Sequence, residues 1–506
     1  MTTVAVATTS QLAADAAAEL AEAGGNAVDC AVAAAMLSCN TEPGVCALAG
    51  GAYVTIWPTD ARPVTIDGNV AVPGFRMPQG ALQAESVHME YGGGVTTLVG
   101  PIAVAVPGTL AALDLASNKY GRVRWRQLLE PSVRATRNGF PLSAACHHYL
   151  QYSGDAIFGR SRDGYSALHD EQGKLHDPKS NIVVPHLADS LEAIAAEGSR
   201  IFYQGEIGSK ISQHVQQLGG ILSAQDLQRY EAIIRPSLTT DLGDWQIAAN
   251  PPPAVGGAVL CAMLIACNRQ PIRAWNQQSI RRLIRVQQAA LSYRKSSLDL
   301  ADDVAAEVRQ MLAKAHAGQL PGAAQSSSTV HTSAVDDSGL ACAITASSGY
   351  GSGEMPHNTG LWLNNCLGEL ELNRRGLDAG PPGARLPSNM APGAARNGKR
   401  VLAMGSPGAD RITTALLQFL INFVQLGLEL EDAIAHPRLH LELNEWPGRI
   451  AVEPGLPIPD IGLPVKSYPE IGMYFGGVGA VLRNADSSFQ VAADPRREGG
   501  TCIAKG

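Results

Sequence analysis

The chain changes character at one point, and this change constrains its organisation more than any other feature. From about residue 302 to Ser328 the residues become polar and small, which predicts an exposed, flexible linker over 302–328. A pattern of short strands starts directly afterwards, over 329–335 and 341–345. A strand that begins abruptly after such a linker suits a site of chain cleavage, between Ser328 and Thr329.

Helix and strand patterns fill the rest of the chain. Apolar positions recurring at three and four residues predict helices, and short apolar runs entered from glycine turns predict strands. The predicted helices cover 10–37 with a break at Gly24-Gly25-Asn26, 109–139, pieces of 183–231, 259–266, 279–299 and 411–426. The predicted strands outside the segment that follows the linker cover 50–57, 64–67 and 245–249.

Length and charge exclude several classes of protein. With 506 residues the chain is long enough for a full-sized enzyme core. A net charge of −7 and a pI near 6.0 argue against a nucleic-acid partner, since such binding depends on clustered Lys and Arg. The first residues carry no basic segment, and no 18-residue apolar span follows. We therefore expect a cytoplasmic protein with no membrane anchor.

The nine cysteines do not form a metal-binding pattern. They are an odd number and lie mostly in apolar stretches, which is typical of reduced, buried thiols. The chain has no CxxC pair, and no histidine follows the cysteines at zinc-finger spacing. We expect neither a metal nor another cofactor.

A series of short motifs in a fixed order resembles the γ-glutamyltranspeptidase family over essentially the whole chain. Before the linker these motifs are Gly24-Gly25-Asn26-Ala27-Val28-Asp29, Glu42-Pro43, Val106-Pro107-Gly108-Thr109, Asn138-Gly139-Phe140-Pro141, Phe202-Tyr203-Gln204-Gly205 and Pro251-Pro252-Pro253. After the linker they are Thr329-Val330-His331, Leu363-Asn364-Asn365, Ser406-Pro407-Gly408-Ala409 and Asp494-Pro495-Arg496. The resemblance implies an α+β fold of four layers, αββα, in which helices enclose two stacked sheets.

The resemblance also implies a precursor that cuts itself. Cleavage between Ser328 and Thr329 would give a large subunit, 1–328, and a small subunit, 329–506, of 328 and 178 residues. The two subunits would together form one domain and remain each other's partners. A dimer of this cleaved pair is a further expectation.

The chemistry expected of such a chain uses its new terminus. A threonine hydroxyl is a poor nucleophile until a base takes its proton, and a chain-terminal threonine carries its own α-amine, with a pKa of about 7.7–8. The resemblance assigns the nucleophile to Thr329. It assigns a supporting hydroxyl to Ser347, with Thr345 as the alternative. It assigns the donors to the developing oxyanion to the backbone N–H groups of Gly408 and Ala409. His331 and the other histidines receive no catalytic role.

The substrate pocket departs from the family pattern. Glutamyl-specific members bind the substrate α-carboxylate with an arginine, but the matching residue here is Asn69, and a neutral amide cannot replace that charge. Two serines for the same carboxylate correspond to Ser388 and Asn389. The acidic residue for the α-ammonium corresponds to Glu369. These departures predict a small-molecule substrate other than glutathione.

Several functions remain open at this point. The first is an amide or related acyl hydrolase that transfers the acyl group from Thr329 to water. A second is hydrolysis of a C–C bond beside a keto group, as in enzymes of alkylproline antibiotic pathways of the lincomycin and pyrrolobenzodiazepine type. A true γ-glutamyltransferase or glutathione hydrolase, and an uncleaved protein that uses the pocket only for binding, complete the set.

Overall fold

The computed structural model describes residues 2–74, 84–91, 94–319, 329–443 and 448–506. Its strands are β1 (Thr3–Thr8), β2 (Gly51–Trp57), β3 (Val64–Gly68), β4 (Glu85–Met89), β5 (Val95–Val99), β6 (Phe140–Pro141), β7 (Asn181–Ile182), β8 (Ile233–Pro236), β9 (Leu238–Leu242), β10 (Trp245–Ala249), β11 (Val330–Asp336), β12 (Ala341–Ser347), β13 (Gly393–Asn397), β14 (Arg400–Gly405), β15 (Leu439–Glu442), β16 (Arg449–Val452), β17 (Val465–Ser467), β18 (Gly479–Arg483), β19 (Phe489–Ala493) and β20 (Gly500–Lys505).

The helices lie mainly before the predicted cleavage site. They are α1 (Gln11–Glu22), α2 (Ala27–Thr41), α3 (Thr109–Tyr120), α4 (Trp125–Asn138), α5 (Ala144–Ser153), α6 (Arg162–Leu168), α7 (Leu187–Glu197), α8 (Arg200–Tyr203), α9 (Glu206–Gln217), α10 (Ala224–Gln228), α11 (Gly256–Arg269), α12 (Gln277–Ser296), α13 (Val304–Ala317), α14 (Arg411–Leu420) and α15 (Leu430–Ala435). Among the described residues, no helix is both long and apolar enough to cross a membrane.

Two large antiparallel sheets form the centre of the molecule. The first has the strand order β20-β1-β11-β12-β2-β3-β8, and the second has the order β19-β18-β14-β13-β10-β9. Helices α1, α2 and α3 cover the outer face of the first sheet, and α11, α14 and α15 cover that of the second. The inner faces meet where β11 contacts β14 and β18. The molecule therefore has the expected four layers, αββα.

Alternation along β1 shows how the sequence produces these layers. Val4 and Val6 join the core between the first sheet and its helices, whereas Ala5 and Ala7 join the core between the two sheets. Successive strand residues point to opposite faces, so one strand supplies both cores. The inner core is rich in alanine, which lets the sheets pack closely.

The predicted element pattern is confirmed at most positions and wrong at one. The break in the first helix falls where Asn26 caps α2 and Asp29 completes a capping box. The linker predicted over 302–328 is wrong for its first half, because Val304–Ala317 forms helix α13. Val308, Met311 and Ala315 are buried on this helix and supply the apolar spacing that the polar composition obscured. Residues 320–328 lie outside the described residues.

A buried carboxyl at the end of α2 predicts a pH dependence of stability. Glu42 is 5% exposed, accepts a hydrogen bond from the Thr9 hydroxyl, and has a pKa raised by burial from 4.5 to about 7. A raised pKa means that the protonated carboxyl stabilises the fold fully below about pH 4.5, and that this contribution is lost as the pH rises through 7. Between pH 5 and 8, we expect the free energy of unfolding of the wild type to fall by on the order of 1–3 kcal/mol more than that of Glu42→Gln. Urea unfolding at several pH values measures this, and parallel profiles would contradict it.

Candidate active site

Four residues of neighbouring strands form a row at one end of the first sheet. β11 pairs with β12 so that Val330 lies opposite Ala346, and the same register continued by one residue places Thr329 opposite Ser347. Ser347 in turn pairs with Gly51 on β2. Continuing the pairing of β2 with β3 by one residue places Asn69 opposite Gly51. Because paired residues share a face, all four face the second sheet.

The glycine in this row allows a close approach. A Cβ atom at position 51 would lie 2.6 Å from Oδ1 of Asn69 and 2.8 Å from the backbone nitrogen of Val70. Both distances are too short for any side chain. Gly51 therefore lets the Asn69 amide lie on the same face as Ser347, with β2 between them.

A chain of hydrogen bonds further along the same strands distinguishes the two candidate hydroxyls, Thr345 and Ser347. The Thr345 hydroxyl and Nδ1 of His331 are 2.8 Å apart, and Nε2 of His331 lies 2.8 Å from the Ser333 hydroxyl. Ser333 donates to the carbonyl of Gly479 at 3.1 Å. Burial lowers the pKa of His331 to about 3, so its ring is neutral. Thr345 is thus engaged below the row, and Ser347 is the hydroxyl placed beside Thr329.

The loop before α14 has an unusual backbone. Gly408 has φ +119°, and a Cβ there would lie 2.6 Å from Cα of Gly476. Ala409 is in the left-handed region, with φ +64°, and is buried. Within the described residues, neither N–H group donates to another backbone carbonyl. Both donors precede the N-terminus of a helix, where negative charge is favoured.

The left-handed alanine predicts a stabilising substitution. Ala409→Gly removes the contact between Cβ and the backbone, so we expect the free energy of unfolding to rise by up to about 1 kcal/mol. Activity should stay the same because the donor is a backbone N–H. Ala266→Gly, within α11, is the matched control and should lose up to about 1 kcal/mol. Chemical denaturation measures both variants, and a loss of stability in Ala409→Gly would contradict the strain argument.

Glu369, the predicted acidic residue, lines the same cleft as Thr329 and Ser347. Glu369 is buried, and its carboxylate is hydrogen-bonded to the Cys366 thiol. Burial, together with this neighbouring carboxylate, raises the pKa of Cys366 well above its usual range, so the thiol stays protonated. The Tyr350 hydroxyl donates to the nearby Glu371 at 3.1 Å. Burial and the neighbouring charges of Asp410 and Glu369 raise the pKa of Glu371 to about 8.

A buried ionic network, which the sequence patterns did not reveal, contacts the side chain of Asn389. Asn389 donates through Nδ2 to Oδ1 of Asp410 at 2.5 Å, and Arg294 on α12 donates to the same oxygen at 2.6 Å. Arg294 also donates to Asp299 at 2.9 Å. Asp410 directly follows Gly408 and Ala409 at the start of a helix, where acidic residues are common. That position is the signal that could have identified it.

One small cleft collects most of the candidate residues. Its lining residues are Asn69, Val70, Thr329, Ser347, Cys366, Glu369, Leu372, Pro387, Ser388, Asn389, Met390 and Ala409. Gly408 is adjacent in the chain but does not line the cleft, and Ser328 lies outside the described residues. Within the described ranges, no three His, Cys, Asp or Glu side chains are grouped to hold a metal ion.

Comparison with known proteins gives relatives along the whole chain. The family model described as gamma-glutamyltranspeptidase matches residues 13–504. The chain is 27% identical to the glutathione hydrolase proenzyme of Pseudomonas sp. (strain A14), covering 96% of this chain and 91% of that protein. It is 26% identical to the acylase ACY 1 proenzyme of Pseudomonas sp. (strain V22), covering 98% and 92%.

A solved structure extends this result to the fold. The cephalosporin acylase from Bacillus halodurans superposes with a TM-score of 0.81 at 21% identity, covering 99% of this chain and 96% of that one. Stacked antiparallel sheets between helices give this chain the fold of the N-terminal nucleophile hydrolases. Within that class, the chain belongs to the γ-glutamyltranspeptidase family and is an enzyme of the hydrolase and acyltransferase kind.

Proposed function

We propose that the chain is a self-cleaving hydrolase that transfers an acyl group to water through an acyl-enzyme on Thr329, with a substrate other than glutathione. The observation that carries the proposal is the cleft in which Thr329, Ser347, Glu369 and Ala409 come together from four separate segments. Two relatives named as proenzymes support processing of a precursor.

Processing would use the same hydroxyl as catalysis. Oγ of Thr329 adds to the carbonyl carbon of Ser328, the peptide C–N bond breaks, and Ser328 becomes an ester on that oxygen. Water then hydrolyses the ester. The products are a carboxylate on Ser328 and a terminal α-amine on Thr329.

The α-amine would then act as the base for each turnover. It accepts the Oγ proton while the oxygen attacks the substrate carbonyl, and the proton passes to the leaving group as the acyl-enzyme forms. The N–H groups of Gly408 and Ala409 would stabilise the oxyanion. Their buried position suits this role because preorganised donors need no reorganisation during the reaction. Ser347, beside Thr329 in the strand pair, would orient the nucleophile.

The polar groups of the cleft support a substrate other than glutathione. Asn69 stands where glutamyl-specific relatives would be expected to have a cationic side chain, and its Nδ2 already donates to the carbonyl of Leu386 at 2.8 Å. Ser388 accepts a hydrogen bond from the backbone of Met390 at 3.2 Å. C–C bond hydrolysis beside a keto group would use the same nucleophile and oxyanion donors, and it remains a prediction from sequence.

Two measurements on purified protein test the proposal. A denaturing gel with intact-mass analysis should show polypeptides of 328 and 178 residues. Incubation with a panel of acyl p-nitroanilides, γ-glutamyl included, should add one acyl mass to the smaller polypeptide, at Thr329. An intact chain of 53.0 kDa that turns over these compounds would overturn the proposal. An intact chain without activity would support a binding protein.

The proposed base predicts the pH dependence of the reaction. The α-amine must be neutral to accept a proton, so we expect kcat/KM to rise about tenfold per pH unit below the amine pKa of about 7.7–8 and to level off above it. His331, with a pKa of about 3, contributes no inflection in this range. Stopped-time assays between pH 5.5 and 9.5 measure the profile. A profile that stays flat from pH 5.5 to the amine pKa would contradict the amine as the base and indicate a base with a much lower pKa, such as a carboxylate.

A further inference from the structure

The cleft beside Thr329 has a polar lining that is unusual for an anion site. Among its lining residues that the structure describes, none is lysine, arginine or histidine, and Glu369 is the one acidic residue. Two arginines near the cleft are bonded to other groups. Arg294 bonds Asp299 and Asp410, and Arg411 donates to the carbonyl of Tyr474 at 2.9 Å and lies over the ring of that residue.

The hydrogen bond between Asn389 and Asp410 fixes the orientation of the Asn389 amide and leaves its oxygen as a free acceptor. Nδ2 donates to Asp410, a carboxylate that can only accept, so the amide cannot be reversed without setting two oxygens against each other. Asn389 is 3% exposed, and its Oδ1 has no hydrogen-bond partner among the described residues. A buried acceptor left unpaired in a cleft costs stability unless a ligand or water satisfies it.

Asn69 is held in the same way. Its Nδ2 donates to the carbonyl of Leu386, another group that only accepts, and its Oδ1 lies over Gly51 on the face that Ser347 shares. Each amide therefore uses one N–H on the protein, and this bond fixes the side on which its oxygen lies. The Asn389 oxygen is the acceptor left for a bound molecule.

The ionised groups around the cleft add to this preference. Glu369, Glu371 and Asp410 lie close enough for the charges of the other two to help keep Glu371 protonated. A further carboxylate brought into this region would be repelled by the charges of Glu369 and Asp410. An ammonium or amide N–H would be attracted.

We propose that the cleft selects an acyl group that presents a hydrogen-bond donor, an ammonium or a carboxamide N–H, in the position where a glutamyl group carries its α-carboxylate. This inference rests on the proposed acyl transfer at Thr329. It adds the chemical class of the acyl group, one that carries a carboxamide or an amine in place of the α-carboxylate. Asn389 and Asn69 are its specificity-determining residues.

Calorimetry on the purified enzyme tests this with three product-like ligands of one chain length. L-glutamate carries the α-carboxylate, L-isoglutamine carries a carboxamide in its place, and 4-aminobutanoate carries only hydrogen there. We expect L-isoglutamine, which presents the carboxamide donor, to bind at least about tenfold more tightly than both L-glutamate and 4-aminobutanoate. Equal affinities, tighter binding of L-glutamate, or binding of none of the three would overturn the inference. Failure of the proposed function appears separately, as an unprocessed chain in intact-mass analysis.

Two variants connect the preference to the amide oxygen. Asn389→Leu keeps the size of the side chain but removes its acceptor, and it leaves the pair of Arg294 with Asp410 in place. We expect the ratio of affinities for L-isoglutamine and L-glutamate to fall to within about threefold. Asn118→Leu, which changes an exposed asparagine of α3 away from the cleft, should keep the wild-type ratio. An unchanged ratio in a folded Asn389→Leu would overturn the assignment to this residue.

Discussion

Thr329→Ala is expected to yield a single polypeptide of 53.0 kDa with activity reduced by at least about 10⁴-fold. Both effects have one cause. The hydroxyl that would attack the Ser328 carbonyl during processing is also the proposed nucleophile for the substrate, and alanine supplies neither reaction. A denaturing gel measures the first effect without any knowledge of the substrate. Hydrolysis of the acyl p-nitroanilide that the wild type accepts measures the second.

Thr332→Ala is the matched control for this substitution. Thr332 lies on the same strand but on the opposite face, where its hydroxyl contacts that of Thr8 at 2.7 Å. We expect this variant to be processed and active, with a stability loss of about 1 kcal/mol. Processing of Thr329→Ala, or full activity in it, would exclude Thr329 as the nucleophile. Failure of both variants to be processed would indicate general misfolding of β11.

Gly408→Ala is expected to lower kcat by about 10²–10³-fold with little change in KM. The φ of +119° at this position is unfavourable for any residue with a Cβ, and that atom would lie 2.6 Å from Cα of Gly476. The loop must therefore shift, and the N–H groups aimed at the oxyanion shift with it. Because the proposed oxyanion forms only in the transition state, the loss should fall on kcat.

Gly398→Ala separates loss of the oxyanion donors from backbone strain alone. Gly398 also has positive φ, +57°, but a Cβ there meets nothing within 4 Å, and the residue lies in the turn between β13 and β14. We expect a stability loss of about 1 kcal/mol and an unchanged kcat. A Gly408→Ala enzyme whose kcat stays within threefold of the wild type would remove this loop from the catalytic proposal.

Much of the fold could be predicted because its local signals agree with its long-range packing. The strand at Trp245–Ala249 and the break between α1 and α2 lie where a short apolar run and the segment Gly24-Gly25-Asn26 predict them, and in the structure Asn26 caps α2. Helix α13 could not be predicted in this way. Its exposed face is polar and its buried residues are few, so packing against α11 rather than composition determines its structure.

The residues of the candidate site could be predicted from the sequence, but the hydrogen bonds that orient their side chains could not. Thr329, Glu369, Ser388 and Asn389 were identified from motif order, and all four line one cleft. Asp410 fixes the orientation of the Asn389 amide, and the carbonyl of Leu386 fixes that of Asn69. Both partners are distant in sequence from the asparagine that they orient. Such orientation follows only from three-dimensional hydrogen bonding.

The strand order of the first sheet determines how the two fragments would be held together after the proposed cleavage. β11 lies between β1, from the N-terminal end of the chain, and β12, whereas β20, from the C-terminal end, is bonded to the other edge of β1. Strands from before and after the 328/329 bond thus alternate within one sheet. A break in the backbone at that bond leaves every ladder between them intact. Separating the two fragments would require breaking the strand pairs in the middle of the sheet, so we expect the fragments to stay associated.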